Sequence, residues 1–128
     1  MGNCSTKSHN KWLIKAKNDL EAAKLLYKAD YLDVAIYHTQ QCAEKALKGF
    51  LAFCNQPLIK SHDLVALVTM SQQFDSSFLT LISLAEKLTP FSVLFRYPEV
   101  DLYPEKKVVL SAIHDAEKIF DFVSKRIK

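Results

Sequence analysis

The chain reads as an all-α protein, an up-and-down four-helix bundle with a short additional helix. Three observations predict this. Apolar residues recur every three or four positions through four long stretches, the signature of amphipathic helices. Only two glycines, Gly2 and Gly49, and four prolines interrupt the chain, too few turn signals for a sandwich or barrel. A length of 128 residues with 49% hydrophobic content supplies one core and not two, so a single domain over 10–128 follows a flexible N-terminal tail over 1–9.

The first helix is predicted from about Asn10 to Lys28, where Leu13, Ala16, Leu20, Ala23 and Tyr27 share one face. Ala29-Asp30 makes a tight connection to a second helix from about Leu32 to Phe53. Its inward set (Ala35, Ile36, Thr39, Cys42, Ala43, Ala46, Leu47, Phe50 and Leu51) covers so much of the circumference that it must touch more than one neighbour. Asn55-Gln56-Pro57 ends it. A short third helix, capped by Ser61 or Asp63, carries Leu64, Leu67 and Val68. Asp75-Ser76-Ser77 caps a fourth segment with Phe78, Leu81, Ile82, Ala85 and Leu88 inward, which Thr89-Pro90 stops. The stretch from Phe91 to Tyr103 loses helical periodicity and is long for a bundle connection, the length class where function concentrates. Pro104 suits the first turn of a last helix running to about Ile127, with Val109, Ala112, Ala116, Ile119, Phe120 and Val123 inward. Residual exposure of Phe50, Phe53 and the late aromatics leaves an apolar patch, which predicts a homodimer.

The formal charge of +3 is too mild to announce nucleic-acid binding, so any anion site is local. Cys42 and Cys54 lie twelve residues apart on one predicted helix, about 18 Å, and do not pair. With no Cys/His spacing for zinc, no Glu-x-x-His pair and no apolar run approaching the roughly 20 residues of a membrane span, no metal, cofactor or integral membrane association is expected, and the location is cytoplasmic. Met1-Gly2-Asn3-Cys4-Ser5-Thr6 fits the N-myristoylation pattern, with Cys4 a second acylation position; a frayed polar tail is the plainer expectation. The glycines form no phosphate-cradling loop and no GxSxG elbow.

The chemistry-bearing residues are few. Gln41, Lys45 and Lys48, at i, i+4 and i+7, line one edge of the second helix beside its core face. His62 stands at the start of the third helix, where the helix amides add positive potential, and Arg96 lies between Phe95 and Tyr97 in the late loop. Arg96, Lys45, Lys48 and His62 can converge on a phosphate, and Tyr97, held by the restricted conformation before Pro98, offers a ring for a base. Each has a plainer role. The lysines suit a solvated surface with Glu44 cancelling part of their field, His62 suits a cap or a carbonyl contact, and Arg96 suits an ion pair with Glu99 or Asp101 or a stack on a ring.

Asp19-Leu20 and Ala23 in the first helix, Gln41 with Ala43-Glu44-Lys45-Ala46-Leu47-Lys48 in the second, His62-Asp63-Leu64, and Arg96-Tyr97-Pro98 together resemble the HEPN domain family, named for higher eukaryotes and prokaryotes nucleotide-binding. The resemblance covers nearly the whole chain after the tail. It implies a dimeric bundle that binds nucleotide or RNA, often as the toxin half of a toxin-antitoxin pair whose antitoxin is a nucleotidyltransferase. Ribonuclease members carry an arginine followed four to six residues later by a histidine. Here the seven residues after Arg96 are Tyr97, Pro98, Glu99, Val100, Asp101, Leu102 and Tyr103, none of them histidine. RNA cleavage through the 2′-hydroxyl needs a group that exchanges protons near neutrality, which arginine does not do. No catalytic residue is therefore assigned, and nucleotide or RNA binding at Arg96, Tyr97, His62, Lys45 and Lys48 is the expected function. The alternatives are a metal-independent ribonuclease toxin that uses Arg96 with a displaced histidine, His62 or His114, and a non-catalytic protein-interaction module.

Overall fold

A computed structural model describes residues 3–98 and 103–127, with side chains from His9 onward. Among the described residues the protein is a helical bundle of five α-helices with no strand: α1 (Asn3–Lys28), α2 (Leu32–Phe53), α3 (Leu64–Gln72), α4 (Ile82–Leu88) and α5 (Lys106–Arg126). The first helix starts at Asn3, seven positions before the apolar period becomes readable. The Gly2 acylation pattern lies outside the described residues.

Helix α2 is the axis of the bundle and packs on α1, α3, α4 and α5, as its wide apolar stripe requires. Every residue in the inward set predicted for it is buried. Phe50 is among them at 4% exposure, its ring 4.2 Å from that of Phe78, so it contributes nothing to an exposed patch. Close approach of α1 and α2 depends on Gly49, where an added Cβ would stand 3.0 Å from the Trp12 Cβ. Asp30 (φ 66°) and Asn55 (φ 62°) follow the ends of α1 and α2 in the left-handed region, which Asp and Asn tolerate better than bulkier residues.

The late part of the chain departs from four equal helices. Asp75 caps a 3-10 turn over Ser76–Leu81, α4 is only seven residues long, and Thr89–Ser92 is a second 3-10 turn with Pro90 at its start. Pro90 lacks an N–H for α-helical bonding, so the chain tightens instead of continuing. Asp63 rather than Ser61 caps α3, accepting from the Val65 and Ala66 amides. Pro104 precedes α5 instead of opening it. Just before it, the Tyr103 hydroxyl accepts from the Leu32 amide and donates to the Asp30 carbonyl, both at 3.2 Å, tying the end of the late loop to the α1–α2 turn.

Candidate functional site

A polar stripe runs down α2 through Asp33, Tyr37, Gln41, Glu44 and Lys48, whose spacings of four, four, three and four keep them on one side of the helix. Three groups of contacts are built on or beside it, and they divide the residues singled out from the sequence.

The first group surrounds Asp19 of α1. Its buried carboxylate receives Lys45 Nζ at 2.7 Å on one oxygen and lies 2.7 Å from His38 Nδ1 on the other. Burial pushes this carboxyl up, but the hydrogen bonds and charges of His38 and Lys45 outweigh it and hold the pKa below the ordinary 3.8.

The second group surrounds Glu44, which is 5% exposed and accepts from Lys48 Nζ at 2.9 Å and Gln40 Nε2 at 3.1 Å. Lys48 is itself only 8% exposed. Burial raises the Glu44 carboxyl, yet the hydrogen bonds from Lys48, Gln40 and His62 bring it below its ordinary 4.5. His62 Nδ1 lies 3.0 and 3.2 Å from the two Glu44 oxygens, while the His62 side chain is 69% exposed. Because an ionised carboxylate only accepts, the ring donates to Glu44 from Nδ1, and Nε2 lies outside this contact. Gln40 also donates to the His62 carbonyl at 3.1 Å and fixes the backbone that presents the ring.

The third group holds Arg96. Its guanidinium carbon sits 4.6 Å from the Tyr37 ring centroid, and Nη1 donates to the Ser92 carbonyl at 3.0 Å. Tyr97, 51% exposed, has its own ring 5.8 Å away. Asp33, Val34, Tyr37, Phe95 and Arg96 line a shallow groove of about 190 Å³ here. The alternative acids Glu99 and Asp101 lie outside the described residues.

Lys45 and Lys48 thus share an α2 edge but turn to separate carboxylates. Arg96 and His62 have no described partner in common; one belongs to the Tyr37 end of the stripe and the other to Glu44, seven positions on. His114 is exposed on α5. The residues missed by sequence reasoning are Tyr37, Asp19 and His38, together with Glu44 in its role as hub. The four-and-three spacing of the α2 stripe is the signal that points to Tyr37, whereas the Asp19 contact spans two helices and has no local mark. No group of His, Cys, Asp and Glu suited to a metal occurs among the described residues, and no described helix is long and apolar enough to cross a membrane.

The chain is similar in sequence and fold to known proteins. A curated protein of Methanocaldococcus jannaschii, named "Putative toxin MJ1304", is 33% identical over 92 residues, covering 66% of this chain and 60% of the relative. The chain therefore spans less than two thirds of that protein's length. The crystal structure of TT1696 from Thermus thermophilus superposes with a TM-score of 0.81 at 23% identity, over 91% of this chain and 96% of that one, and so shares its fold. The crystal structure of ST0689, an archaeal HEPN homologue, gives a TM-score of 0.75 at 28% identity, over 94% of this chain and 98% of that one. A family model for the HEPN domain matches residues 9–127, and the chain belongs to that family.

Proposed function

We propose that this protein is a HEPN toxin-type partner in a toxin-antitoxin pair with a nucleotidyltransferase, acting as a cytoplasmic homodimer that binds a nucleotide or RNA phosphate at Arg96. The observation that carries this reading is the exposed Arg96 guanidinium, seated over Tyr37 at 4.6 Å and anchored on the Ser92 carbonyl. A planar fork held in this way keeps N–H donors for a phosphate and has lost part of its rotamer freedom before binding. Tyr97 supplies a face for a base. Asp33, also lining the groove, can accept from a ribose hydroxyl. Lys45 and Lys48 do not contact the phosphate in this reading, because their ammonium groups are engaged by Asp19 and Glu44. The relative named as a toxin supports the biological setting.

Arg96→Ala is expected to weaken binding of a fluorescent single-stranded oligoribonucleotide by about 2 kcal/mol, roughly thirtyfold, with the melting temperature unchanged. A lowered melting temperature with unaltered affinity would instead make Arg96 a structural pin for the loop.

One observation favours ribonuclease activity as a second reading: the Glu44–His62 pair presents an oriented, solvent-facing imidazole without the usual Arg/His spacing. Labelled RNA incubated in EDTA near neutral pH with wild type, Arg96→Ala and His62→Ala separates the two. Cleavage lost in either variant supports the nuclease; RNA left intact by a wild type that still retards it supports binding alone.

A further inference from the structure

Beside the Arg96 groove lies a second one, about 430 Å³, between the α4 end and α5, lined by Lys87, Phe91, Lys107, Val108, Ser111 and Asp115. Phe95, which lines the first groove, and Phe91, which lines the second, stand 6.0 Å apart with planes inclined by 30°. The two depressions are thus neighbours across an aromatic pair. The floor of the second is mostly apolar, and its charge is positive: the buried Asp115 carboxylate lies 3.5 Å from Lys87, and Lys107 remains in excess at the rim.

Lys107 stands where helix physics disfavours a cation. The first turn of α5 contains Lys106 and Lys107, so two ammonium groups stand near the positive end of the helix macrodipole, with Glu105 at the N-cap beside them. Lys106 is compensated by Asp30 at 3.0 Å. Lys107, the lysine left without a carboxylate among the groove's lining residues, together with the aromatic floor, is complementary to a phosphate and a base of a single strand.

We infer that the Lys107–Phe91 groove continues the Arg96 site, so that the ligand is single-stranded RNA more than one nucleotide long rather than a free mononucleotide. This rests on the Arg96 reading above. Arg96 takes one phosphate, Phe95 and Phe91 take successive bases, and Lys107 takes a phosphate further along the strand.

The test compares uridine monophosphate with octauridylate on wild type, Lys107→Glu, Lys107→Arg and Arg96→Ala. Wild type is expected to bind the octamer more tightly than the monomer. Lys107→Glu should remove about tenfold of that gain and leave monomer affinity unchanged, while Lys107→Arg retains it. The salt dependence of octamer binding should fall by roughly one phosphate's worth in Lys107→Glu. Equal affinity for monomer and octamer, both lost in Arg96→Ala, would overturn the extension while leaving the Arg96 reading intact. Octamer binding that needs Lys107 but not Arg96 would overturn the Arg96 reading and the extension with it, and so would absence of binding to either ligand. Because Lys107 is exposed, its replacement does not disturb the core.

Discussion

Replacing Glu44 by Ala is expected to destabilise the protein by about 3 kcal/mol, because it leaves the Lys48 ammonium in a nearly water-free position with no counter-charge. The corresponding fall in Tm is about 10 °C for a domain of this size. The pair itself is not the source of this number. Two charges removed from water and joined to each other contribute little over a well-packed apolar pair, whereas one charge left behind is costly. Glu44→Leu combined with Lys48→Met is therefore expected to recover most of the loss, and thermal melts of the single and double variants measure the difference. A Tm unmoved by Glu44→Ala would show that Lys48 escapes to solvent when its partner is removed. The same carboxylate contributes to the pH dependence of stability. Since its folded-state pKa lies below the unfolded value near 4.5, its contribution is complete above that value and is lost as pH falls through the folded pKa. Asp19 adds a term of the same sign, beginning below 3.8. Stability should thus begin to fall as pH drops below 4.5, and Glu44→Gln should flatten that loss.

Phe78→Ala should cost more still, about 4 kcal/mol. The Phe78 ring is wholly buried between Phe50 of α2, 4.2 Å away, and Phe122 of α5, 5.0 Å away, and so joins both long helices to the 3-10 turn. A short 3-10 turn has no independent stability with which to close the cavity. Equilibrium denaturation in urea checks the value, and a loss under about 1 kcal/mol would mean that the turn collapses inward after all. The binding proposed at Arg96 should be unaffected under conditions where the variant is folded, since no described contact joins Arg96 to Phe78.

The core was legible because burial follows the helical period: Leu20, Ala46, Leu67, Ala85 and Ile119 are all completely buried where their spacing put them. Length was less legible. The 3-10 turns flanking α4 preserve apolar spacing close enough to three or four that Phe78 to Leu88 reads as one continuous helix. At the candidate site, stacking of Arg96 is one of the roles its aromatic neighbours suggest, although the ring beneath it is Tyr37 of α2. Glu44–Lys48 is an i, i+4 pair in the favourable order and readable in principle. The Asp19–Lys45 contact is 26 residues apart in the chain, so nothing in the local pattern announces that this lysine faces a carboxylate. His62 illustrates the same limit, because a loop residue's partner depends on the path of the loop.

The Tyr103 bond to the α2 start gives the Arg96 loop a remote reporter. The first amides of a helix lack intrahelical acceptors, and that of Leu32 finds one in a hydroxyl 71 residues further along the chain. Proton–deuterium exchange at this single amide, read by NMR, therefore reports on opening of the Tyr103 contact.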